Sequence, residues 1–400
     1  MDRVRFITIS RWWRGPWGLK KSVEAVAVGV VLVGALSIFL GLGTQDKSSS
    51  ACQFPAIYNF GDSNSDTGGW SATFFRLPSP YGNTFFGKPV GRISDGRLII
   101  DFIAHKLGLP FLSAYLDSLG SNFHHGASFA TGGSTIQPLD GRMFEARYSP
   151  ISLNLQLSQF AQFKARVNEV FTEDKRTSLP RPSDFSKALY TLDIGQNDLH
   201  AGLRLKTMDE VLASISNITA QLALTIEQLY QEGARVFWIH NTGPLGCLPS
   251  TLAYKLPKPG DLDQNGCWKP HNEVAEEFNR QLKDRVFKLR AQLSEAVLTY
   301  VDLYTARYTL ISEAEKHGFT SPLAQCCGSY GDSVVHCGIK TIVNGTEVEA
   351  LCSNPSKYIS WDGVHYSDAA NQWLADRIMD GAFSDPPVSI TEACHKPPHF

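Results

Sequence analysis

Phe54-Pro55-Ala56-Ile57-Tyr58-Asn59-Phe60-Gly61-Asp62-Ser63 is the stretch that decides the fold. Its aromatic and β-branched residues read as a buried strand near the start of the folded part, with Ser63 at the strand's carboxyl end. In open α/β sheets ligands bind at that edge, because loops converge there on a crevice and the following helices point their N-termini into it. A second run, Ala188-Leu189-Tyr190-Thr191-Leu192-Asp193-Ile194, also reads as a strand and leads into Gly195-Gln196-Asn197-Asp198. Residues 234–239 and 296–301 read as further parallel strands. Apolar residues recur at helical spacing over 97–107, 153–170, 208–230 and 274–293, and a terminal helix is expected at 368–378. Strands that follow helices at this interval predict an α/β fold, a right-handed, doubly wound sheet of about five strands with helices on both faces. No internal repeat interrupts it.

The chemistry gathers at four short segments: Gly61-Asp62-Ser63, Gly132-Gly133, Gly195-Gln196-Asn197-Asp198 and Asp362-Gly363-Val364-His365. A serine hydroxyl is a weak nucleophile near neutral pH, so it needs a base within hydrogen-bond reach and a third group to orient that base. His365 and Asp362 suit those roles. An Asp three residues before a His can fold back onto the imidazole Nδ1 and leave Nε2 free to take the serine proton. Ester cleavage also passes through a tetrahedral oxyanion. The N–H of Ser63, the N–H of Gly132 in Ala130-Thr131-Gly132-Gly133, and the side-chain amide of Asn197 are the candidate donors to it. Each block alone is an ordinary turn or helix cap. Their shared order, two of them directly after strand-like runs, is what points to a serine esterase.

Phe60-Gly61-Asp62-Ser63-Asn64-Ser65-Asp66-Thr67-Gly68, Gly126-Ala127-Ser128-Phe129-Ala130-Thr131-Gly132-Gly133, Ile194-Gly195-Gln196-Asn197-Asp198 and Trp361-Asp362-Gly363-Val364-His365 together resemble the four blocks of the plant-type GDSL esterase/lipase family of SGNH hydrolases. The similarity runs from about residue 54 to about residue 381. It implies a flavodoxin-like three-layer sandwich, Ser63, Asp362 and His365 as the catalytic triad, an oxyanion hole of Ser63, Gly132 and Asn197, and no metal or other cofactor. Ser128 departs from the family pattern, standing where Asn is common. The position reads as strand interior, so only local packing is expected to change. The resemblance implies carboxylic ester hydrolysis. Members close to this chain's variants deacetylate glycosides and polysaccharides, so an acetylated cell-wall polysaccharide such as xylan or its side chains is the leading substrate. A secreted lipase or acyl esterase acting on lipid or small glycoside esters is the alternative, and an inactive binding protein of the same fold is a third reading.

Composition agrees with a globular enzyme. The 400 residues are 43% hydrophobic, with a net charge of −2, which makes no electrostatic case for nucleic acid. Residues 1–24 are basic, with Arg3, Arg5, Arg11, Arg14, Lys20 and Lys21 alongside Trp12, Trp13 and Trp17. Residues 25–43 carry the uncharged stretch 25–42, about 27 Å long as a helix. It reads as a membrane anchor with the basic end cytosolic and the catalytic domain in the lumen of the Golgi; a cleaved signal peptide with export to the apoplast is the alternative. Residues 44–53 form a linker, 54–383 the catalytic domain, and 384–400 a Pro-rich tail expected to be poorly ordered.

Either route leads to an oxidising lumen. The eight cysteines are an even set that allows four disulfides. Cys247 with Cys267 would close a Pro- and Gly-rich excursion, and Cys326 or Cys327 with Cys337 or Cys352 would pin the loop before Asp362. A metal site at Cys326-Cys327 with His336-Cys337 is the weaker reading, and His105 with His124-His125 has no ligand spacing. Asn217-Ile218-Thr219 and Asn344-Gly345-Thr346 are glycosylation sequons. The aromatic segment 70–86 reads either as core and lid or as a wall of the substrate cleft.

Overall fold

In the computed structural model the described residues are 51–396, apart from 139–147, 173–177, 254–257, 259 and 331–333. The basic segment, the apolar segment and most of the linker therefore lie outside the described residues, as do 397–400. Among the described residues no helix is long and apolar enough to cross a membrane.

Five strands, β1 (Ile57–Gly61), β2 (Gly126–Ser128), β3 (Leu189–Asp193), β4 (Val236–His240) and β5 (Val297–Val301), pair in parallel in the order β2-β1-β3-β4-β5. That is the flavodoxin-like strand order, whose reversal point lies between β1 and β3. Alternation along each strand splits the core in two. Tyr58 and Phe60 of β1, with Phe237 and Ile239 of β4, join one apolar cluster; Ile57, Val236 and Trp238 join the other. Parallel strands covered on both faces are near-continuously apolar, and β1, β3, β4 and β5 are buried at every residue.

The covering helices are α1 (Ile99–Lys106), α2 (Leu153–Val170), α3 (Gln196–Leu205), α4 (Met208–Gln231), α5 (Lys269–Gln292), α6 (Leu303–Ser312) and α7 (Asp368–Met379). Helices α2, α4 and α5 pack on the first face; α1, α6 and α7 pack on the second. The five expected helices agree with α1, α2, α4, α5 and α7 within a few residues, the largest shift being the start of α5, whereas α3 and α6 were not expected. There Pro270 sits in the first turn, where its missing N–H costs nothing. Helix α4 begins in a reciprocal cap, Thr207 Oγ1 accepting from Glu210 N while Glu210 Oε2 accepts from Thr207 N.

The expected loose tail is a correction. Residues 384–396 belong to the domain: β8 (Ser384–Asp385) adds an antiparallel edge to β5, and a disulfide joins Cys394 to Cys52. Cys52 N also donates to Thr391 O. Proline content suggested disorder because it counts lost donors; it does not register a covalent staple across 342 residues. The same staple brings residues 51–53, assigned to the linker, into the folded unit.

Candidate active site

Backbone pairing brings the first block and the third block side by side. Asp62 N donates to Asp193 O, so the turn that carries Ser63 and the turn that carries Asn197 leave neighbouring strands at one edge. Gly61 is required there, since a Cβ would stand 2.5 Å from the Asp193 carbonyl oxygen. Gly195 holds φ +127° against the Phe278 ring, a backbone conformation that L side chains rarely adopt. Gln156 on α2, which nothing in the sequence singled out, grips the strand end from below: its Oε1 accepts from Gly61 N at 2.9 Å and its Nε2 donates to Gly61 O at 2.8 Å. Asn59 laces three strands together, donating to Ser128 Oγ and Ser65 O and accepting from Thr191 Oγ1. Ser128 is thus strand interior, and its hydroxyl serves as a packing partner.

The fourth block arrives from the other end of the chain. Ser63 Oγ lies 2.7 Å from His365 Nε2, across 302 residues of sequence. His365 Nδ1 lies 2.7 Å from Asp362 Oδ2 and 2.9 Å from Oδ1. An ionised carboxylate only accepts, so the imidazole proton sits on Nδ1 and Nε2 is left to accept from the serine. Asp362 Oδ1 also accepts from the N–H groups of Val364 and His365, and Oδ2 from the Tyr81 hydroxyl at 2.9 Å. Tyr81 was read only as part of the aromatic segment 70–86; its contact with Asp362 was invisible from sequence, because that partner lies 281 residues away.

This block has no strand or helix of its own. Cys326 N and Cys327 N donate to the carbonyls of Ser360 and Trp361, and the disulfides Cys326–Cys352 and Cys327–Cys337 hold that scaffold. The expected pairing Cys247–Cys267 is present as well. With these cysteines spent, the metal reading at Cys326-Cys327 falls. On the far side, Arg97 clamps Asp368 at 3.0 and 2.9 Å, and Asp95 Oδ1 accepts from Asp368 N at 2.7 Å, fixing the start of α7. Gly91-Arg92-Ile93-Ser94-Asp95-Gly96-Arg97 carried no signal in isolation.

The oxyanion candidates differ. Asn197 Nδ2 donates one hydrogen bond to Ser134 O at 2.9 Å, which leaves its second hydrogen available. Asp198 beside it accepts from the N–H groups of Ile136 and Gln137, tying this turn to the glycine block. The Gly132 N–H is directed onto Asp66 Oδ2 at 2.7 Å. Asp66 is fully buried and also accepts from Gly68, Gly69 and Trp70, so it binds the nucleophile loop to the Gly132 turn.

Charges around the imidazole set its acidity. Burial pushes His365 down, but the adjacent Asp362 carboxylate, its hydrogen bond and the Asp62 charge outweigh burial and opposition from Arg307, leaving it above the ordinary histidine value. Burial pushes Asp362 up, and the His365 charge and hydrogen bonds bring it below the usual carboxylate range. Asp62 is pushed up to about 7 by burial and by Asp193. Burial also acts on Asp193, yet His240, with Nδ1 3.2 Å from Asp193 Oδ2, and Arg307 hold its carboxyl low.

The aromatic segment divides. Trp70 and Tyr81 are buried, whereas Phe75 is 58% and Phe85 46% exposed. Trp70 packs against Phe74 and edge-on to Phe75, and its Cβ closes on Gly132, so this cluster flanks the glycine turn. Of the histidines set aside, His125 Nδ1 binds Pro55 O and His124 Nδ1 binds Leu179 O, both as loop ties.

A hydroxyl, an imidazole and a carboxylate in line at the carboxyl edge of a flavodoxin-like sheet define an α/β serine hydrolase. Comparison with known proteins agrees. Residues 57–378 match the GDSL-like lipase/acylhydrolase family. A GDSL esterase/lipase of Arabidopsis thaliana is 55% identical over 86% of this chain and 90% of its own length. An esterase of Hevea brasiliensis is 49% identical over 90% of this chain and 94% of its own. A protein of Arabidopsis thaliana named alpha-L-fucosidase 3 is 48% identical over 87% of this chain and 95% of its own length. The chain belongs to the GDSL-like lipase/acylhydrolase family, within the SGNH superfamily, and is a carboxylic ester hydrolase. Its four disulfides fit the secretory pathway.

Proposed function

We propose that this enzyme removes acetyl groups from a cell-wall polysaccharide such as xylan or its side chains. Ser63 Oγ attacks the acyl carbon while His365 Nε2 takes its proton; the alcohol of the sugar leaves with that proton, and water then releases acetate by the same steps in reverse roles. Asp362 keeps the imidazole in the required tautomer. The Ser63 N–H and the second amide hydrogen of Asn197 meet the oxyanion, and Gly132 joins them when its N–H is shared between Asp66 and substrate. The observation that carries the reaction is the line Ser63 Oγ to His365 Nε2 to Asp362, at 2.7 Å in each step.

The choice of substrate is supported by the exposed ring of Phe75, packed on Trp70 beside the glycine turn, which suits a sugar ring. The names of relatives do not decide it, because different activities are attached to proteins of nearly equal identity. Acetate released from acetylated xylan, measured against fatty acid released from a triglyceride by the same preparation, tests the reading; a preference for long acyl chains overturns it in favour of a lipase. Fluorophosphonate should label the protein and fail on Ser63→Ala. Intact protein that resists labelling would favour an inactive binding role.

Placement in the secretory pathway at the Golgi membrane, through residues 25–43 with a lumenal catalytic domain, completes the proposal. It rests on the basic flank and apolar stretch of the sequence. Loss of an N-terminal tag on gels would replace the anchor with a cleaved signal peptide. Glycans on Asn217 and Asn344 belong to the same proposal: both residues are exposed, Asn217 on α4 and Asn344 at the hairpin between β6 (Thr341–Val343) and β7 (Thr346–Val348).

A further inference from the structure

Tyr81 sits at the back of the triad, buried to 8% exposure, with its hydroxyl 2.9 Å from Asp362 Oδ2, the same oxygen that His365 Nδ1 approaches to 2.7 Å. Its ring meets Trp361 edge-on at 6.0 Å and packs in the small apolar cluster that holds Ile93, Cys326, Cys327 and Cys337. A phenol is thus held in place by the disulfide-bearing scaffold and aimed at one carboxylate. We propose that Tyr81 is a positioning residue for the ester hydrolase: by donating to Asp362 it fixes the plane of the carboxylate and moderates the negative charge that faces the imidazole.

The physical case has two parts. Asp362 Oδ1 is oriented by two backbone N–H groups of its own turn, Val364 and His365. Among the described residues the donors to Oδ2 are the side chains of His365 and Tyr81, so without the phenol the carboxylate is held at one oxygen by backbone and at the other by the group it is meant to orient. The second part is electrostatic. A hydrogen bond to an anion draws charge density toward the donor and is stronger than one between neutral groups. Removing it leaves a more basic carboxylate against His365, which favours the imidazolium. An imidazolium cannot accept the Ser63 proton, so the acid limb of activity must move to higher pH. Among the described residues the other charges that act on this assembly are Asp62 after β1 and Arg307 on α6, facing His365, with Asp193 and His240 behind Asp62. All are untouched by a change at Tyr81.

The inference rests on the esterase reading, and its test separates the two. Tyr81→Phe keeps the ring and its packing on Trp361 and removes the hydroxyl alone. The expected result is a kcat lowered roughly three- to tenfold with KM within about twofold of wild type, and an acid limb displaced upward by roughly half a pH unit. In a background of Asp362→Asn the same change should have almost no further effect, because the interaction it removes is already broken. NMR titration of the His365 imidazole in Tyr81→Phe and wild type reads the displacement without turnover. Unchanged kcat and an unchanged His365 titration overturn the role of Tyr81, as does a loss of melting temperature with both profiles intact, which would make the phenol merely structural. Wild-type protein without ester turnover would instead overturn the esterase reading, and the titration would still decide on Tyr81.

Discussion

Ser63 and His365 meet at 2.7 Å, yet the two sides of that contact are built by different means. Ser63 stands in the turn directly after β1, a strand whose parallel ladders, together with the Gln156 grip on Gly61, fix its end. Asp362 and His365 stand on a segment without strand or helix, held by backbone bonds to Cys326 and Cys327, two disulfides, the Arg97–Asp368 clamp and the Tyr81 hydroxyl. Cooperative backbone pairing between buried strands positions the first side. On the second, where no ladder exists, each degree of freedom is removed by a separate covalent or side-chain tie. A site can therefore be equally well positioned on both sides and unequally vulnerable.

The largest effect should come from the sheet side, where a group acts on developing charge. Asn197→Ala is expected to lower kcat by about a hundredfold or more with KM nearly unchanged. A large rise in KM at constant kcat would mean that Asn197 holds ground-state substrate and would remove it from the oxyanion hole.

On the loop side the sharpest probe is the staple. Replacing Cys326 and Cys352 together by Ser opens a link spanning 26 residues and should cost roughly 3 kcal/mol of stability, read from the denaturant midpoint. Activity should fall more steeply with temperature than in wild type, while the far-ultraviolet circular dichroism of the sheet domain persists below the transition. Wild-type stability and activity would show that the ladder of backbone bonds suffices, and the contrast between the two sides would collapse.

pH dependence tests the electrostatics where both sides meet. His365 is held above the ordinary value, so the fraction able to act as base rises only at higher pH, and the acid limb of kcat/KM should lie above about 6.5. The sign for stability is the converse: a raised histidine contributes fully below the unfolded value, and that contribution fades as pH climbs through the folded value. A limb centred below the free imidazole value would mean that burial and Arg307 prevail over Asp362 and Asp62.

The smallest effect belongs to Ser128. Replacing it by Ala removes one partner of Asn59 Nδ2, which still donates to Ser65 O, so the loss should be about 1 kcal/mol or less in thermal denaturation, with unchanged turnover. A clear drop in kcat would show that the lacing of β1, β2 and β3 reaches the nucleophile.

The two sides were also unequally legible. Strands β1, β3, β4 and β5 could be read from continuous apolar runs, and five helices from their periodicity, because burial leaves a local composition signal; the ten-residue α3 and α6 were not read. Strand β2, three residues long, showed itself only at Ser128, read as strand interior within the glycine block. Three disulfides close neighbouring segments as expected, Cys326 and Cys327 each taking one of the two partners left open, while Cys52–Cys394 joins the chain's distant parts and has no local signature. Gln156, Tyr81 and Arg97 act through partners 95, 281 and 271 residues away. No window of sequence contains both members of such a pair.

The amino-acid order by itself determined the α/β architecture, the family and the order of the four blocks, since hydrophobic period and short motifs are local properties. Only tertiary structure decided that the Gly132 N–H points to Asp66, that the tail is stapled to Cys52 ahead of β1, and that a tyrosine stands behind Asp362. Those depend on distances between remote segments, which chain folding sets and linear spacing does not.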